Sequence, residues 1–572
     1  MMKRNVLIIL SLILLVGAVF RFFKLGEVPD GFHRDEAFLG YNAYSILKTG
    51  RDITGAFLPL NLPSFLYSPA GYSYATIPFI LFLGLNEISV RFASAFFGWL
   101  TILAVCAATF LLFSAQKKLS LNRIHVGLLT AGVLAILPWH INLSRTATEN
   151  TPVTFLVTVA FCSYLLGYRN GKMRYFILSF ILFALSLVCY QAPRAFLPLF
   201  VPVLFFLMPP KAPKAKILIG ILYASCILMP VGMVLLSPHL SLRIRTVSIT
   251  ASPEMQLIIN ERNREAGSVD VPPVVSRLFH NKILGYGSQF LTNYFDHFTY
   301  SFLFTDQGKP TRYRVPSQGL LYVWMLPFLL IGCYYVFHND KKIFALLATW
   351  YLTTFVGSAM AFDDIPNLQR TEFAVVPISM FTGIGIYVVA RWLLVIRRPW
   401  VSRIVIVGFL IGVSYAVSGY WFRYFYIQNQ HVPIYRQEGY RDLVAKIGSL
   451  ENNYERIIIT NHESAPAIFF LFYRMFDPAL FLTQTKGKMI TDYDRADFSK
   501  YSFAQNDCPI SYDLKKGVVV DYPLYNPGEK TLFVDYATCS AEIPDTESIG
   551  IIKRLDGTIV FRLFALKPIQ GN

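Results

Sequence analysis

The sequence predicts a polytopic α-helical membrane protein with a small α/β domain after its last membrane segment. Of the 572 residues, 54% are apolar and only 15% are charged. A soluble core does not bury apolar side chains in such excess, so many of them must face lipid. Apolar runs of membrane-spanning length also recur between short basic clusters, and helix-like and strand-like segments alternate in the tail.

The first apolar segment, residues 1–23, opens with "MMKR". A basic start before an apolar run is also typical of a signal peptide. No small-residue cleavage site follows, however, and many further apolar segments do. We therefore predict an uncleaved first transmembrane helix.

We predict eleven membrane-spanning helices, each near the length of about 17–25 residues that a crossing needs. They lie at about residues 5–23, 92–113, 125–141, 152–168, 175–191, 195–208, 216–236, 317–337, 343–361, 372–390 and 403–421. A shorter apolar run lies at 71–85. If it does not cross, every basic loop falls on one side of the membrane, as the positive-inside rule requires. We therefore interpret 71–85 as a short interfacial or re-entrant helix.

These basic loops also explain the formal charge of +17. No aromatic and basic platform accompanies them, so nucleic acid is not an expected partner. The predicted topology leaves the N-terminus in the cytoplasm and puts a first loop (24–91), a long loop (237–316) and the tail (422–572) outside. Without a Walker or G-x-G-x-x-G motif, an ATP-driven pump and a nucleotide or redox cofactor are disfavoured.

The tail is predicted to form its own domain. Helix-like segments at 440–448 and 465–476 alternate with strand-like segments at 455–460, 517–522, 531–536 and 558–566. This alternation predicts an α/β domain over 422–572, following a transmembrane domain over 1–421. Cys508 and Cys539 lie in the tail and could pair in an oxidising compartment, although their spacing alone does not decide it.

The stretch "GFHRDEAFLGYNAYSILKTG" at 31–50 follows the first span almost directly. One apolar stripe with polar residues opposite is formed by Leu39, Ala43, Ile46 and Leu47, which predicts a helix lying along the membrane surface. Asp35 and Glu36 occupy its first turn. A structural role suffices for either acid alone, because Asp35 can cap the helix and both acids complement its dipole.

Other charged residues are expected at the same membrane depth. They lie at the outer ends of separate spans: Arg145, Glu149, Arg194, Arg243, Arg245 and Arg370. Each arginine alone is explained by a side chain that reaches the lipid headgroups. Several arginines and a carboxylate pair on one face are also suited to hold a phosphate leaving group beside a general base.

Six stretches carry a family resemblance. They are "HRDEAFLGYNAYSILKTGRD", "EISVRFASAFFGWLT", "LPWHINLSRTATENTP", "NYFDHFTYSFLFTDQGKPTRYRVPSQGLLY", "NLQRTEFAVVP" and "ERIIITNHESAPAIFFLFYRMFDP". In them the chain resembles the GT-C superfamily of membrane glycosyltransferases. It is most similar to the bacterial group that includes protein O-mannosyltransferases and lipid A aminoarabinose transferases.

The resemblance implies sugar transfer at the extracytoplasmic face of the plasma membrane, from a polyprenyl-phosphate donor to an envelope lipid, glycan or protein. Asp35 matches the catalytic Asp of the family's first loop and would be the general base. Glu36 would position or tune it, and Arg370 matches a late Arg that meets the donor phosphate.

Further residues have supporting roles in this hypothesis. Arg194 or Arg145 would help Arg370 to bind the phosphate. The remaining supporting residues are His33, Arg34 and Glu149. His33 and the two acids could hold a divalent cation, but one His and two carboxylates without a fixed ligand spacing leave metal dependence open.

Two departures from the family pattern are visible. Many relatives carry a Lys where this sequence has Ser68, in "YSPAG", so a phosphate contact is missing or supplied by another basic residue. No two Trp are adjacent, which disfavours N-glycosylation. The alternatives to an enzyme are a transporter or flippase for lipid-linked saccharides and a catalytically inactive binding protein. A transporter predicts internal symmetry and mid-bilayer charges, neither of which is evident in the sequence.

Overall fold

A computed structural model describes residues 2–62, 68–114, 121–211, 213–236, 246–396, 398–431, 433–462, 465–485, 496–504, 507–510, 529–542 and 546–567. Arg243, Arg245 and the predicted strand at 517–522 lie outside these residues. Within the described residues the protein is mostly helical, with one larger sheet near its C-terminus.

The first half of the chain is almost entirely helical. Its helices are α1 (Met2–Phe22), α2 (Arg34–Thr49), α3 (Gly71–Leu83), α4 (Glu87–Ser114), α5 (Arg123–Ala135), α6 (Pro138–Ser144), α7 (Asn150–Asn170), α8 (Met173–Cys189), α9 (Pro193–Leu207), α10 (Pro213–Leu236), α11 (Pro253–Ser268), α12 (Pro273–Phe279) and α13 (Lys282–Asp296).

The second half alternates helices with the strands of the tail. Its helices are α14 (Met325–Asn339), α15 (Lys341–Thr354), α16 (Val356–Ala359), α17 (Val375–Val395), α18 (Pro399–Phe422), α19 (Gln428–His431), α20 (Tyr440–Leu450), α21 (Pro466–Tyr473) and α22 (Pro478–Thr485).

The chain divides into two compact units. The first comprises Met1–Phe23 and Ser94–Arg423, and the second comprises Lys24–Ala93 and Tyr424–Asn572. The second unit therefore joins the first loop to the tail, a grouping that the linear order of the sequence does not suggest.

The first unit contains most of the long apolar helices. Among the described residues, six helical segments are long and apolar enough to cross a membrane: Arg4–Phe22, Glu87–Ser114, Asn150–Asn170, Lys341–Ala359, Glu372–Val395 and Pro399–His431. A seventh candidate is the pair α5 and α6, which is bent by 60°. The chain is thus a multi-pass membrane protein.

The eleven predicted spans also include segments that fold as shorter helices. The segments predicted at 175–191, 195–208 and 317–337 fold as α8, α9 and α14, which have 17, 15 and 15 residues. At 1.5 Å per residue such helices are shorter than the hydrocarbon core of about 30 Å. The run at 71–85 forms the 13-residue helix α3, and the segment at 216–236 lies within α10.

Close packing within the first unit depends on small residues. Gly332 on α14 faces the backbone of Phe381, and Gly385 on α17 faces the backbone of Phe328. A Cβ atom at either glycine would overlap a carbonyl oxygen of the opposite helix. The two backbones therefore approach as closely as in other membrane helix pairs with small interfacial residues.

In the second unit, α2 is surrounded by other elements. It packs against α3, α21 and α22, and buried residues occur on all its faces, including the polar Asn42 and Ser45. The predicted helix is confirmed, and polar residues are buried in it as well as apolar ones, because this unit covers both sides of the helix. Its position along the membrane surface stays a prediction. The helix ends at Gly50, whose φ of 69° suits glycine.

The tail folds around a five-stranded sheet with the order β4-β3-β5-β7-β6. A separate two-stranded ribbon, β1 (Asn61–Leu62) with β2 (Ser68–Pro69), lies in the first loop. The strands of the larger sheet are β3 (Arg456–Ile459), β4 (Tyr501–Phe503), β5 (Thr531–Tyr536), β6 (Thr546–Lys553) and β7 (Ile559–Leu566).

The first three strands of this sheet are parallel and the last two join it antiparallel. Ile458 pairs with Ser502 on one side and with Phe533 on the other, and Val534 pairs with Leu563. The predicted α/β domain is confirmed, although β4 and β6 were not expected. Cys508 and Cys539 form a disulfide.

Candidate active site

The N-terminus of α2 is capped by His33. The imidazole Nδ1 accepts the backbone N–H of Asp35 at 3.2 Å, and the Glu36 carboxylate accepts the backbone N–H of His33 at 3.2 Å. This is a reciprocal capping arrangement. The structural alternative in which Asp35 caps the helix is therefore wrong, because the helix begins at Arg34 and places Asp35 inside its first turn.

The Asp35 carboxylate lies between two basic side chains. Its oxygens are 3.4 Å from Nδ1 of His33 and 3.9 Å from Nε of Arg34, and 21% of the side chain is exposed. The backbone N–H of Arg34 donates to the side chain of Gln437 at 2.9 Å. Asp35 is thus partly accessible on a helix terminus that other residues hold in place.

Glu36 is buried between two arginines. Nε of Arg91 lies 3.1 Å from one carboxylate oxygen, and Nη2 of Arg436 lies 2.6 Å from the other. The side chains of these three residues are no more than 2% exposed. Since both oxygens of Glu36 are engaged, its geometry suits it to hold the helix rather than to exchange protons.

The same arginines also bind the chain that leads into α2. Arg91 donates to the carbonyl groups of Pro29 and Gly31 at 3.0 and 2.6 Å. Arg436 donates to those of Asp30 and Gly31 at 3.1 and 3.2 Å. We call Arg91, Glu36 and Arg436 the arginine clamp. It fixes both the backbone before α2 and the first turn that carries Asp35.

Neither arginine of the clamp was among the predicted site residues. Arg91 had a detectable signal, because it is a charged residue at the start of a long apolar run. Arg436 had none, because it is one of many basic residues in a polar tail. Only the fold of the second unit brings it to Glu36.

Arg145 and Glu149 belong to the first unit. The Arg145 guanidinium is buried and donates to the carbonyl groups of Phe20 and Phe23 at 3.0 and 2.7 Å. It thereby satisfies backbone acceptors at the end of α1. Glu149 precedes α7 and accepts from the Gln369 side chain at 3.4 Å. The buried position of Arg145 suits a structural role better than the predicted phosphate contact.

Arg194 and Arg370 also lie in the first unit. Arg194 donates from Nε to the carbonyl of Leu187 at 3.2 Å, which ties the start of α9 to the end of α8. Arg370 forms a two-point contact with Asp363, at 2.9 Å to both its carbonyl and its carboxylate. Its side chain remains 19% exposed.

A buried histidine supports the loop that carries Arg370. Nε2 of His297 accepts the backbone N–H of Asn367 at 3.0 Å and lies 2.9 Å from the Ser358 hydroxyl, while Nδ1 lies 2.7 Å from the carbonyl of Asn293. These partners require the neutral imidazole with its proton on Nδ1. Burial, which disfavours the charged ring, lowers the pKa of His297 to about 4.

A second charged network lies in the interior of the first unit. Nη2 of Arg21 is 2.9 Å from Nδ1 of His140, and Nε2 of His140 is 3.8 Å from the Glu372 carboxylate. The hydroxyl of Thr151 donates to that carboxylate at 3.0 Å. Sequence reasoning missed this network, although ionisable residues in apolar segments are a recognisable signal. The loss of hydration on burial offsets much of the attraction between such groups.

The fold itself resembles solved structures of one transferase. ArnT from Cupriavidus metallidurans in the apo state matches with a TM-score of 0.51 and 11% identity over 98% of each chain. ArnT bound to undecaprenyl phosphate matches with a TM-score of 0.51 and 12% identity over the same shares. ArnT, the lipid A aminoarabinose transferase, is a GT-C protein. The chain has a GT-C fold.

The oligosaccharyltransferase of Archaeoglobus fulgidus is a weaker match, with a TM-score of 0.47 and 14% identity. This match covers 82% of the present chain and 63% of the oligosaccharyltransferase chain. No protein-family model matches the sequence, and a comparison with curated proteins finds no match.

Within this GT-C fold the predicted site residues fall into two groups. His33, Arg34, Asp35 and Glu36 share the second unit, and the remaining candidates, Arg145, Glu149, Arg194 and Arg370, share the first. The structure therefore brings Asp35 together with the arginine clamp. Arg370 has Asp363 as its nearest charged neighbour among the described residues.

Metal binding has few candidates in the described part of the GT-C fold. Cys508, Asp535 and Cys539 form the single group of three potential ligands that lie close together there. The two cysteines are joined in a disulfide, and a disulfide offers no thiolate ligand. Near α2, Nδ1 of His33 already accepts the backbone N–H of Asp35, so a divalent cation between His33 and the Asp35 carboxylate would have to displace this capping contact.

Proposed function

We propose that the protein is a membrane glycosyltransferase that moves a sugar from a polyprenyl-phosphate donor to an envelope lipid, glycan or protein. The observation that carries this proposal is the setting of Asp35. A partly exposed carboxylate is held on a rigid helix terminus by the arginine clamp, and a separate residue, His33, performs the capping. A general base needs such fixed placement together with access to substrate.

In the proposed reaction Asp35 accepts the proton of the acceptor hydroxyl. The acceptor oxygen forms a bond to the anomeric carbon while the bond from that carbon to the phosphate oxygen breaks. The leaving polyprenyl phosphate keeps the electron pair, and Arg370 stabilises its charge. Attack from the face opposite to the phosphate inverts the anomeric centre.

Two facts support a lipid-phosphate donor. The fold is that of ArnT, a protein solved with undecaprenyl phosphate bound, and the chain itself is a multi-pass membrane protein. We place the reaction on the extracytoplasmic face of the plasma membrane, with the N-terminus in the cytoplasm. The transmembrane domain would span 1–421 and the outer domain 422–572.

The experiment is a transfer assay with purified full-length protein in nanodiscs and a radiolabelled polyprenyl-phosphate sugar. A membrane extract supplies the acceptors. We expect release of polyprenyl phosphate and movement of label to an acceptor, and a loss of about 100-fold or more in Asp35→Asn. Asp442→Asn is the control, because Asp442 is an exposed acid of the same unit.

The assay also separates the alternatives. A transporter moves the labelled lipid between leaflets without cleaving its phosphate bond, and an inactive binding protein retains it intact. Either result, or a wild-type rate in Asp35→Asn, would contradict the proposal.

A further inference from the structure

The long loop of the first unit carries an exposed apolar surface on two consecutive helices that the proposed reaction does not use. Its large side chains are Val274, Val275, Leu278 and Phe279 on α12, and Ile283, Leu284, Leu291 and Phe295 on α13. All eight are exposed, and the exposed fraction reaches 82% at Val274 and 85% at Ile283. We call these eight residues the α12–α13 surface. Apolar surfaces of this kind mark contacts with a protein or a membrane.

Polar side chains of the same two helices point inward instead. The hydroxyl of Ser276 on α12 donates to the Asn263 side chain on α11 at 2.7 Å, and Asn263 donates to the carbonyl of His280 at 2.8 Å. On α13 the buried Asn293 donates to the carbonyl of Ala361 at 2.8 Å. In water the apolar side chains would be buried and such polar groups hydrated. Here the hydrogen-bonded polar groups are inside and the apolar groups outside, as lipid requires of the segments that it contacts.

The helix α11 forms a polar layer against α12 and α13. It packs on both helices, and its buried residues are Met255 and Ile259. Leu257 is its single exposed large apolar residue. Its other exposed positions include charged and amide side chains: Glu254, Gln256, Asn260, Glu261, Arg262, Arg264 and Glu265. This layered segment therefore presents one face suited to water and one suited to lipid.

The α12–α13 surface lies beside a membrane-spanning segment. α13 packs against α16, which ends the spanning segment Lys341–Ala359. The hydroxyl of Tyr294 donates to the carbonyl of Leu352, inside that segment, at 3.0 Å. The Leu352 side chain is itself exposed. The α12–α13 surface therefore continues an apolar surface of a helix that is long enough to cross the membrane.

Two cations flank the apolar side chains where α12 meets α13. Arg277 and Lys282 are exposed, and neither forms an ion pair with any described residue. No acidic residue occurs in the sequence from 273 to 295. Lipid headgroups present phosphates directly beside an apolar layer, and they attract cations placed in this way. The charge of the surface thus favours a bilayer over a protein as its partner.

We propose that the α12–α13 surface lies in the boundary between headgroups and acyl chains, with Arg277 and Lys282 at the lipid phosphates. The two helices have 7 and 15 residues, fewer than the roughly 20 that a crossing needs, so they bind the bilayer without spanning it. The contact also fixes the depth of the chain that follows. His297 comes directly after α13 and accepts the backbone N–H of Asn367, in the loop that carries Arg370.

The test identifies what touches the α12–α13 surface in a native membrane. The photoreactive amino acid p-benzoylphenylalanine replaces Phe279, Ile283 or Phe295 in the full-length protein, and Asn260 on the polar layer as the matched control. Cells that express each variant are irradiated, and mass spectrometry of the purified protein records phospholipid adducts and cross-linked proteins. We expect phospholipid adducts at the three surface positions in about fivefold or greater excess over position 260. Circular dichroism and thermal unfolding confirm that each variant folds.

A second measurement tests the two cations. Arg277→Gln combined with Lys282→Gln should lower the yield of phospholipid adducts at position 279 by about two- to fivefold. Arg264→Gln is the control, because Arg264 is an exposed cation of the polar layer, and it should leave this yield unchanged.

Four results would overturn the proposal. The first is that the surface positions give no phospholipid adducts, and the second is that position 260 gives as many as they do. The third is that the surface positions cross-link to another protein or to a second copy of the chain, which would make the surface a protein interface. The fourth is an unchanged yield in the double glutamine variant. None of these results depends on sugar transfer, so this surface and the proposed function can fail separately.

Discussion

Arg436 lies 2.6 Å from the carboxylate of Glu36, although 400 residues separate the two in sequence. The contact joins the tail to the helix that carries Asp35, and both side chains are buried. Removing one partner of a buried ion pair leaves the other charge without compensation, which typically costs about 3–5 kcal/mol. The clamp thus makes the tail a structural requirement for the first loop.

Arg436→Ala should lower both the stability and the activity of the protein. We expect a loss of about 3–5 kcal/mol in the second unit, measured by thermal or denaturant unfolding, and a loss of transfer that Arg436→Lys partly restores. Arg474→Ala is the matched control, because Arg474 pairs with Glu451 near the surface and such pairs contribute at most about 1 kcal/mol. Equal effects of the two alanine variants would argue against the clamp.

Gly31→Ala should disturb the clamp through its backbone. Gly31 has a φ of +76°, and a Cβ atom there would lie 2.8 Å from Cβ and 3.1 Å from the carbonyl oxygen of Arg436. Gly557 has a φ of +86° with nothing within 4 Å of the added atom. Gly557→Ala therefore reports the backbone strain alone, about 1 kcal/mol. Gly31→Ala should lower the free energy of unfolding by about 1–3 kcal/mol more than Gly557→Ala does. Equal melting curves for the two variants would contradict the close contact between Gly31 and Arg436.

Asp363 should compete with the donor phosphate for Arg370. Their ion pair is partly exposed, with 19% and 41% of the two side chains accessible. Asp363→Asn removes the competitor, so the KM for the donor should fall about two- to fivefold. Arg370→Ala should lower kcat/KM by about 100-fold or more. Steady-state kinetics with Asp364→Asn as the control tests this, and an unchanged or higher KM in Asp363→Asn would speak against Arg370 as the phosphate ligand.

Acid should weaken the first unit through His297. The ordinary pKa of 6.5 falls to about 4 in the fold because burial disfavours the charged ring. The unfolded chain is therefore protonated first, and the free energy of unfolding should decrease as the pH falls from about 6.5 to about 4. Over this pH range the free energy of unfolding should fall by roughly 3 kcal/mol. Thermal unfolding between pH 7.5 and 4.5 should show this slope in the wild type and a smaller one in His297→Gln; identical slopes would contradict it.

The Cys508–Cys539 disulfide should stabilise the tail. It joins residues that are 31 apart in sequence. In the chain-entropy account, closing a loop of that length raises the free energy of unfolding by about 3–4 kcal/mol. We expect dithiothreitol to lower the Tm of the wild type. The double variant Cys508→Ala, Cys539→Ala should have a low Tm that the reductant does not change. Thiol labelling would show that reduction is complete. A wild-type Tm that complete reduction does not change would exclude a stabilising role of the disulfide.

Several parts of this fold were predictable because their signals are local. The alternation in the tail predicted β3, β5 and β7, and the apolar runs located the long helices. The short strand β4 was missed, because three residues between polar segments carry little periodicity. The number of spans stays a prediction, because hydropathy measures an apolar run and does not show where a helix begins and ends within it.

Composition, hydropathy and charge distribution were sufficient to predict a multi-pass membrane protein with an α/β tail, and the family resemblance of the first loop pointed to Asp35. These properties depend on neighbouring residues in the chain, and for that reason they can be recognised without coordinates. Tertiary structure alone decided that His33 caps α2, that Glu36 is enclosed by Arg91 and Arg436, and that Arg145 serves the end of α1. Such pairings depend on which of many arginines the folded backbone brings within about 3 Å of a carboxylate or carbonyl, and no local pattern encodes that choice.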